Sequence, residues 1–377
     1  MSRSAAGGEV KVRPMRFSTF HSFAIHAGPG GVTDAELTSA VSNVAQAEAI
    51  RRELDRILLA EDLGFDTVWL REHHFTDYGF LANPMAMAAH VAALTKRVRI
   101  GTAVVTLPLH HPIRAAEDAA LVDVLSGGRL TYGVGRGYQS AEYNAFGISL
   151  DEARERTDEA IEILRKLWTQ GRASHRGRFF GFEEVRLQPK PVQTPHPPMI
   201  YASISPQSVT HYAKQGIPFL VDSTLTFETL EALARIWAEA AAFRDGVSET
   251  IGPVALRSIW LAASNAEARA HVEGLQGVST VAYNPALAPI NKEGQIAKGY
   301  EYWKTGWHGR TLDDYNSGPV WENRWIAGDQ ARVIEKIKWM ETLGYKDTCV
   351  AFGHSMSWDE ERRCMERFAR EIMPNCR

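Results

Sequence analysis

The feature that most constrains the fold is a recurring unit: a short apolar run, then a helical stretch, with chemically unusual residues where each run ends. Phe65, Val68, Trp69 and Leu70 lead straight into Arg71-Glu72-His73-His74-Phe75. The run Val98–Leu107 ends at Pro108, and Leu130–Val134 ends at Gly135-Arg136-Gly137. Short apolar runs alternating with helical periodicity predict a parallel sheet. Further runs fall at Met15–Phe23, Met199–Ser203, Phe219–Val221, Val254–Ala262 and Thr348–Phe352. About eight such units favour a closed barrel over an open sheet, so the predicted fold is α/β, a (β/α)8 TIM barrel with insertions.

The intervening stretches carry helix signals. Ile50, Leu54, Ile57, Leu58 and Leu63 keep helical spacing, and Gly64 stops that helix. Asn83-Pro84 opens a second, Ala115–Leu125 forms a third, and Asp151 is the expected N-cap of a fourth running to about Thr169. Arg172–Pro198 reads as an excursion holding a small hairpin around Phe179-Phe180. The long loop after strand seven, residues 282–323, has no clear period and is the candidate active-site lid. Residues 1–14 are expected to form a disordered tail and 15–377 a single domain.

Bulk properties narrow the function. In 377 residues the net charge is −3, which gives no general pull toward nucleic acid or an anionic membrane. No apolar run approaches the roughly 18–20 residues that span a bilayer, and Met1–Gly8 lacks the apolar centre of a signal peptide. Three scattered cysteines, Cys349, Cys364 and Cys376, make neither a disulfide framework nor a zinc site, so a cytoplasmic setting is expected.

The C-terminal ends of barrel strands are where side chains meet ligands. Glu72-His73-His74 at such an end suits proton transfer, or is a structural histidine beside a surface one. Metal binding is not expected, because adjacent histidines on an extended chain point to opposite sides. Gly133-Val134-Gly135-Arg136-Gly137 is half a dinucleotide fingerprint with its third glycine misplaced; as a rim loop it admits a ligand and lets Arg136 meet a phosphate, or Arg136 is a surface arginine in a turn. Ser203-Ile204-Ser205-Pro206-Gln207-Ser208 can bind an anion at a helix start, cap that helix through Ser205, or do both. Gly353-His354-Ser355-Met356-Ser357 lacks the last glycine of a nucleophile elbow.

Taken in order, Glu72-His73-His74-Phe75-Thr76, Ile100-Gly101-Thr102-Ala103-Val104, His111-Pro112 with Glu117-Asp118, Leu125-Ser126-Gly127-Gly128-Arg129, Gly135-Arg136-Gly137 and Gly299-Tyr300-Glu301-Tyr302 resemble the bacterial luciferase-like, FMN-dependent monooxygenase family. The resemblance runs from about Met15 to Pro374. It implies a barrel that binds reduced FMN, supplied by a separate flavin reductase, and uses O2 through a C4a-(hydro)peroxyflavin to oxygenate a small organic substrate. By the same resemblance His73 is the catalytic histidine and Glu72 its acidic neighbour. Arg136 and Arg154 correspond to phosphate-binding arginines, and Ser205 and Ser208 to phosphate-binding hydroxyls, the second normally a threonine. Ala202 and Ile204 fall where backbone groups meet the isoalloxazine edge, and Ala103-Val104 matches a cis pair beneath the ring. Gly135 stands where the light-emitting members carry a reactive cysteine, a change expected to open space near the flavin. A homodimer through Pro84–Leu94 and Ala115–Leu125 is implied. The same barrel also serves F420-dependent oxidoreductases and non-catalytic flavin-binding subunits; the Glu72-His73 pair argues against the latter.

Overall fold

Residues 14–24, 43–75, 79–241, 251–274, 289–301, 320–352 and 356–377 are described in a computed structural model of the chain. The first strand, β1 (Arg16–His21), leads to helix α1 (Asn43–Leu63), then β2 (Thr67–Leu70) and α2 (Pro84–Leu94). Next come β3 (Arg99–Thr102), its short continuation β4 (Val105–Thr106) and α3 (Pro112–Leu125). The strand β5 (Leu130–Gly135) is followed by a six-residue helix, α4 (Ser140–Ala145), and the long α5 (Ala153–Gln170). An antiparallel hairpin of β6 (Arg172–Arg176) and β7 (Gly181–Arg186) turns at Phe179-Phe180, as its sequence predicts. The chain then resumes with β8 (Met199–Ala202), α6 (Pro206–Ala213), β9 (Phe219–Val221), α7 (Phe227–Ala240) and β10 (Val254–Leu261). It finishes with α8 (Asn265–Gly274), α9 (Val320–Asn323), β11 (Ile326–Gly328), α10 (Gln330–Thr342), β12 (Asp347–Ala351), α11 (Trp358–Glu371) and α12 (Met373–Cys376).

Eight strands close in parallel, in the order β1, β2, β3, β5, β8, β9, β10 and β12. Closure is made where Val254 and Ala255 of β10 pair with Leu220 and Val221 of β9, and where β12 pairs with β1 at Arg16 and Asp347. Alternation along each strand sends one set of side chains inward and the other toward the helices. Trp69, Ile200, Leu220, Val254, Leu256 and Cys349 form the inner cluster. Val68, Leu70, Ile100, Tyr132, Val134, Tyr201 and Ile259 pack outward, in one core with the helices.

The indole of Trp69 fits inside the ring because β3 carries Gly101 opposite it; a Cβ there would lie 2.2 Å from the Trp69 ring. Its N–H donates to Ser18 Oγ at 2.9 Å, and the Ser18 hydroxyl donates to Asp347 at 2.6 Å. Burial pushes that carboxyl up to about 6, against the opposing pull of Arg16 and Ser18.

Several expectations need correction. Asp151 is not the N-cap of α5. It lies in a 3-10 turn, Leu150–Glu152, and its carboxylate accepts hydrogen bonds from Asn291 Nδ2 (3.2 Å) and the Lys298 amide (2.7 Å). The third helix starts at Pro112, not Ala115, because the proline supplies a ready first-turn φ and His111 accepts from the Ile113 amide. The strand β11 went unforeseen: unlike the equally short but wholly apolar Phe219–Val221, its Ile-Ala-Gly sequence holds a single large apolar residue. Of the candidate lid only 289–301 and 320–323 are described, and Gly353-His354-Ser355 lies outside the described residues. Ser357 forms a capping box with Glu360 at the start of α11. Among the described residues no helix is long and apolar enough to cross a membrane.

Gly101→Ala is expected to destabilise the protein by about 1–3 kcal/mol through over-packing against Trp69. Urea denaturation measures this, and an unchanged midpoint would show that the indole yields freely.

Candidate active site

The residues singled out in the sequence gather at the C-terminal ends of the strands, in two groups. The first is cationic. Ser205 caps α6: its Oγ accepts from the Ser208 amide at 3.2 Å, and its hydroxyl donates to Ser208 Oγ at 2.8 Å. Arg154, in the first turn of α5, donates from Nη2 to the same Ser208 Oγ at 2.5 Å. A helix start, two hydroxyls and a guanidinium thus converge from two elements. Arg136 stands just beyond β5 and is buried, with its guanidinium 3.8 Å from the centre of the Tyr300 ring. Its Nη2 donates to the Gly299 carbonyl at 2.6 Å. The Glu301 carboxyl senses both arginines. It is held below its ordinary range first by the Gly299 amide, and then by Arg136 and Arg154.

The segment 289–301 is fastened over this rim. Besides the two bonds to Asp151, the Ile290 amide donates to Ser140 Oγ (2.7 Å) and the Tyr300 hydroxyl to the Gly137 carbonyl (2.6 Å). Below it, the Ala103–Val104 peptide is cis, as the resemblance requires of that pair. Gly135 does not leave the opening expected there. A Cβ on Gly135 would lie 2.7 Å from Val104 Cγ2 and 3.8 Å from Ala202 Cβ, so the Val104 methyl already fills the place. Ala103 packs with the inner cluster, and Ile204 rests against the outer core.

The second group is built on Glu72-His73-His74, where alternation parts the three side chains. His73 Nδ1 lies 2.9 Å from Glu142 Oε1 and 2.8 Å from Gln139 Nε2, both supplied by α4 and the residue that precedes it. Burial, with Arg71 adding to it, pushes the His73 imidazole well below its ordinary range. Burial likewise raises the Glu142 carboxyl to about 7, although Glu142 Oε1 accepts from the His74 amide at 2.9 Å. Burial thus favours a neutral His73 imidazole and a protonated Glu142 carboxyl facing its Nδ1.

Glu72 turns the other way. Its Oε1 accepts from His74 Nε2 at 3.1 Å and His110 Nε2 at 2.9 Å, and its Oε2 from the Thr106 amide at 3.2 Å. Burial works to raise this carboxyl, but the two imidazole donors outweigh it and hold it below its ordinary value. His73 Nδ1 thus meets Glu142 and Gln139, while its chain neighbour Glu72 turns toward His74 and His110. Glu142, Gln139 and His110 were missed in the sequence. His110 stood in view beside His111-Pro112 but carried no spacing that pointed to Glu72. Among the described residues no group of three or more His, Cys, Asp or Glu side chains could hold a metal ion.

A pH dependence follows from Glu142. Its folded carboxyl holds a proton to about 7, against an ordinary 4.5. That contribution to stability is fully present below pH 4.5 and is lost as pH rises through about 7. In Glu142→Gln this loss is removed. The stability of the variant relative to wild type is expected to rise between pH 4.5 and 8 by on the order of 1–3 kcal/mol. Urea titrations at the two pH values check it, and a constant difference would contradict it.

The family model described as luciferase-like monooxygenase matches residues 15–347. The oxygenase component of a flavin-dependent trigonelline monooxygenase from Acinetobacter baylyi is 29% identical over 320 residues, 84% of this chain and 87% of that protein. The alkanal monooxygenase alpha chain of the Kryptophanaron alfredi symbiont is 33% identical over 185 residues, 49% of this chain and 52% of that one. With the first curated relatives it matches, the chain spans about half of their length. The crystal structure of the monooxygenase RslO1 from Streptomyces bottropensis superposes with a TM-score of 0.73 at 24% identity, covering 96% of this chain and 99% of that one, a likeness of fold. The chain belongs to the luciferase-like monooxygenase family.

Proposed function

We propose that this protein is the oxygenase component of a two-component monooxygenase, which takes reduced FMN from a separate flavin reductase and inserts one atom of O2 into a small organic substrate. The observation that carries the reading is the convergence of Arg154, Ser205 and Ser208 at the start of α6, with Arg136 close by. Guanidinium and hydroxyl donors at a helix N-terminus suit a phosphate monoester, so the residues present fit the terminal group of FMN. Ala103, Val104, Gly135, Ala202 and Ile204 offer small apolar surface beside it, which suits a flat ring. No nicotinamide fingerprint occurs in the sequence, which favours a separate reductase, and the trigonelline relative is itself named an oxygenase component.

When bound, reduced FMN would supply the activation of oxygen. The chain's own residues hold and shelter it. Arg136 and Arg154 bind the phosphate, and the fastened segment 289–301 covers the rim against water. His73, kept neutral by burial, accepts or returns a proton at the reacting group. Glu142 holds the exchangeable proton at Nδ1. In this reading Glu72 acts through its neighbours and not on the substrate.

Anaerobic titration with reduced FMN, followed by addition of oxygen, tests these roles. Arg154→Ala is expected to weaken FMN binding by roughly 1.5–3 kcal/mol, the loss of one charge-assisted contact. His73→Ala should bind FMN normally and fail to oxygenate. Unaltered affinity in the first variant, or unchanged turnover in the second, would falsify the assignment. Binding of F420 in place of FMN, with hydride transfer and no oxygen consumption, would identify the F420-dependent branch of the same barrel. Binding without turnover in the wild-type chain and its reductase would identify a non-catalytic subunit.

A homodimer fits the same reading. On α2 and α3 the side chains of Leu94, Leu121, Val124 and Leu125 are 41–54% exposed, amid small alanines that permit close approach. Sedimentation is expected to give a dimer in the wild type and a monomer in Leu121→Glu. A monomeric wild type contradicts it.

A further inference from the structure

His110 is unaccounted for by the roles above. It closes a cluster with Glu72 and His74 in which one carboxylate oxygen receives both imidazoles. Glu72 is fully buried, while the His110 side chain keeps 32% of its exposure. A buried carboxylate is tolerated only when a cation or several donors compensate it. With one imidazole protonated the cluster is neutral; with neither, a charge lies buried with only neutral donors. His110 is the member that bulk solvent reaches. The groups facing it are Glu72 and His74 from the end of β2, and Asp118 from α3, itself 3.8 Å from Arg114. Glu72 and Asp118 both favour its charged form, and they overcome the opposing effect of burial.

The geometry gives this cluster a mechanical consequence. Glu72 grips both ends of one short stretch, the Thr106 amide at its start and the His110 ring at its end. Within that stretch Thr106 pairs with Gly135 of β5. Leu109 packs against the buried cluster of Tyr143, Leu150, Ala153, Ala297 and Tyr300. Tyr143 donates to the Arg136 carbonyl, and Tyr300 lies under the Arg136 guanidinium. The stretch is thus wedged between the end of β2 and the loop that carries Arg136.

We propose that His110 is a positioning residue: as an imidazolium bonded to Glu72 it pins residues 106–110 to the end of β2, and so fixes the rim on which Arg136 sits. It makes the organisation of the rim sensitive to pH while touching neither cofactor nor substrate. Only its consequence for FMN rests on the function proposed above. As His110 loses its proton, the grip slackens and FMN affinity falls.

Two measurements on the full chain test this. The first is the titration of the His110 ring by NMR, identified by its disappearance in His110→Gln. Its midpoint is expected above the ordinary 6.5 in wild type and lower in Glu72→Gln. The second is FMN affinity between pH 6 and 8.5. It is expected to fall about tenfold in wild type, the scale of a modest coupling between sites, to be weak at both pH values in His110→Gln, and to stay tight in His110→Lys, which keeps its charge. A ring that titrates identically with and without Glu72, or a His110→Gln variant with the wild-type pH profile, overturns the proposal. If no form binds FMN, the proposed cofactor is wrong, and the ring titration decides the His110–Glu72 contact by itself.

Discussion

Much of this structure depends on how closely the chain of β3 and β4 approaches β5. Gly133 has no side chain, and a Cβ there would lie 1.8 Å from the Thr102 carbonyl oxygen. That closeness lets the Thr102 hydroxyl donate to the Gly133 carbonyl at 2.7 Å while accepting from the Gly133 amide at 2.8 Å. Two residues on, Gly135 lets the Val104 methyl in. The result is a rim where β3 and β4 are interrupted by Ala103-Val104 and yet stay paired with β5 on both sides of the break. Arg136 leaves that rim at a defined point, and the segment 289–301 has a fixed surface to settle on.

The two acid–imidazole groups show how burial alone does not decide ionisation. Glu72 and Glu142 are both buried beside histidines. Glu72 receives two imidazole N–H donors and a backbone amide, and its carboxyl is held down. Glu142 receives one backbone amide and shares a single imidazole nitrogen with Gln139, so desolvation wins and its carboxyl rises. The number of donors aimed at each carboxylate sets the direction. Of the two carboxyls, Glu72 is thus held ionised and suited to anchoring its neighbours, whereas Glu142 is pushed toward its protonated form.

Legibility of the sequence followed the strength of the signal. All eight barrel strands were visible as apolar runs, and the hairpin at Phe179-Phe180 could be placed from its composition. The strand β11 could not, because Ile-Ala-Gly holds only one large apolar residue. Asp151 looked like a cap because acidic residues before a helix commonly are one; a partner segment some 140 residues away in the chain claimed its carboxylate instead. Arg136 and the Ser203–Ser208 stretch could be picked out from their places after apolar runs, but Arg154 could be chosen only through resemblance, since an arginine one turn into a helix looks like any other until Ser208 is seen beside it.

By itself the sequence determined the strand–helix alternation, hence the closed parallel barrel, and it also determined that Glu72 and His74 would face one way and His73 the other. Those are consequences of local periodicity, which any stretch of chain carries within itself. Only the tertiary structure decided which acid each histidine meets, because Glu142 reaches His73 from 69 residues away and His110 reaches Glu72 from 38. Contacts of that separation are set by the curvature of the closed sheet and the packing of the loops on its rim, and neither leaves a period in the sequence.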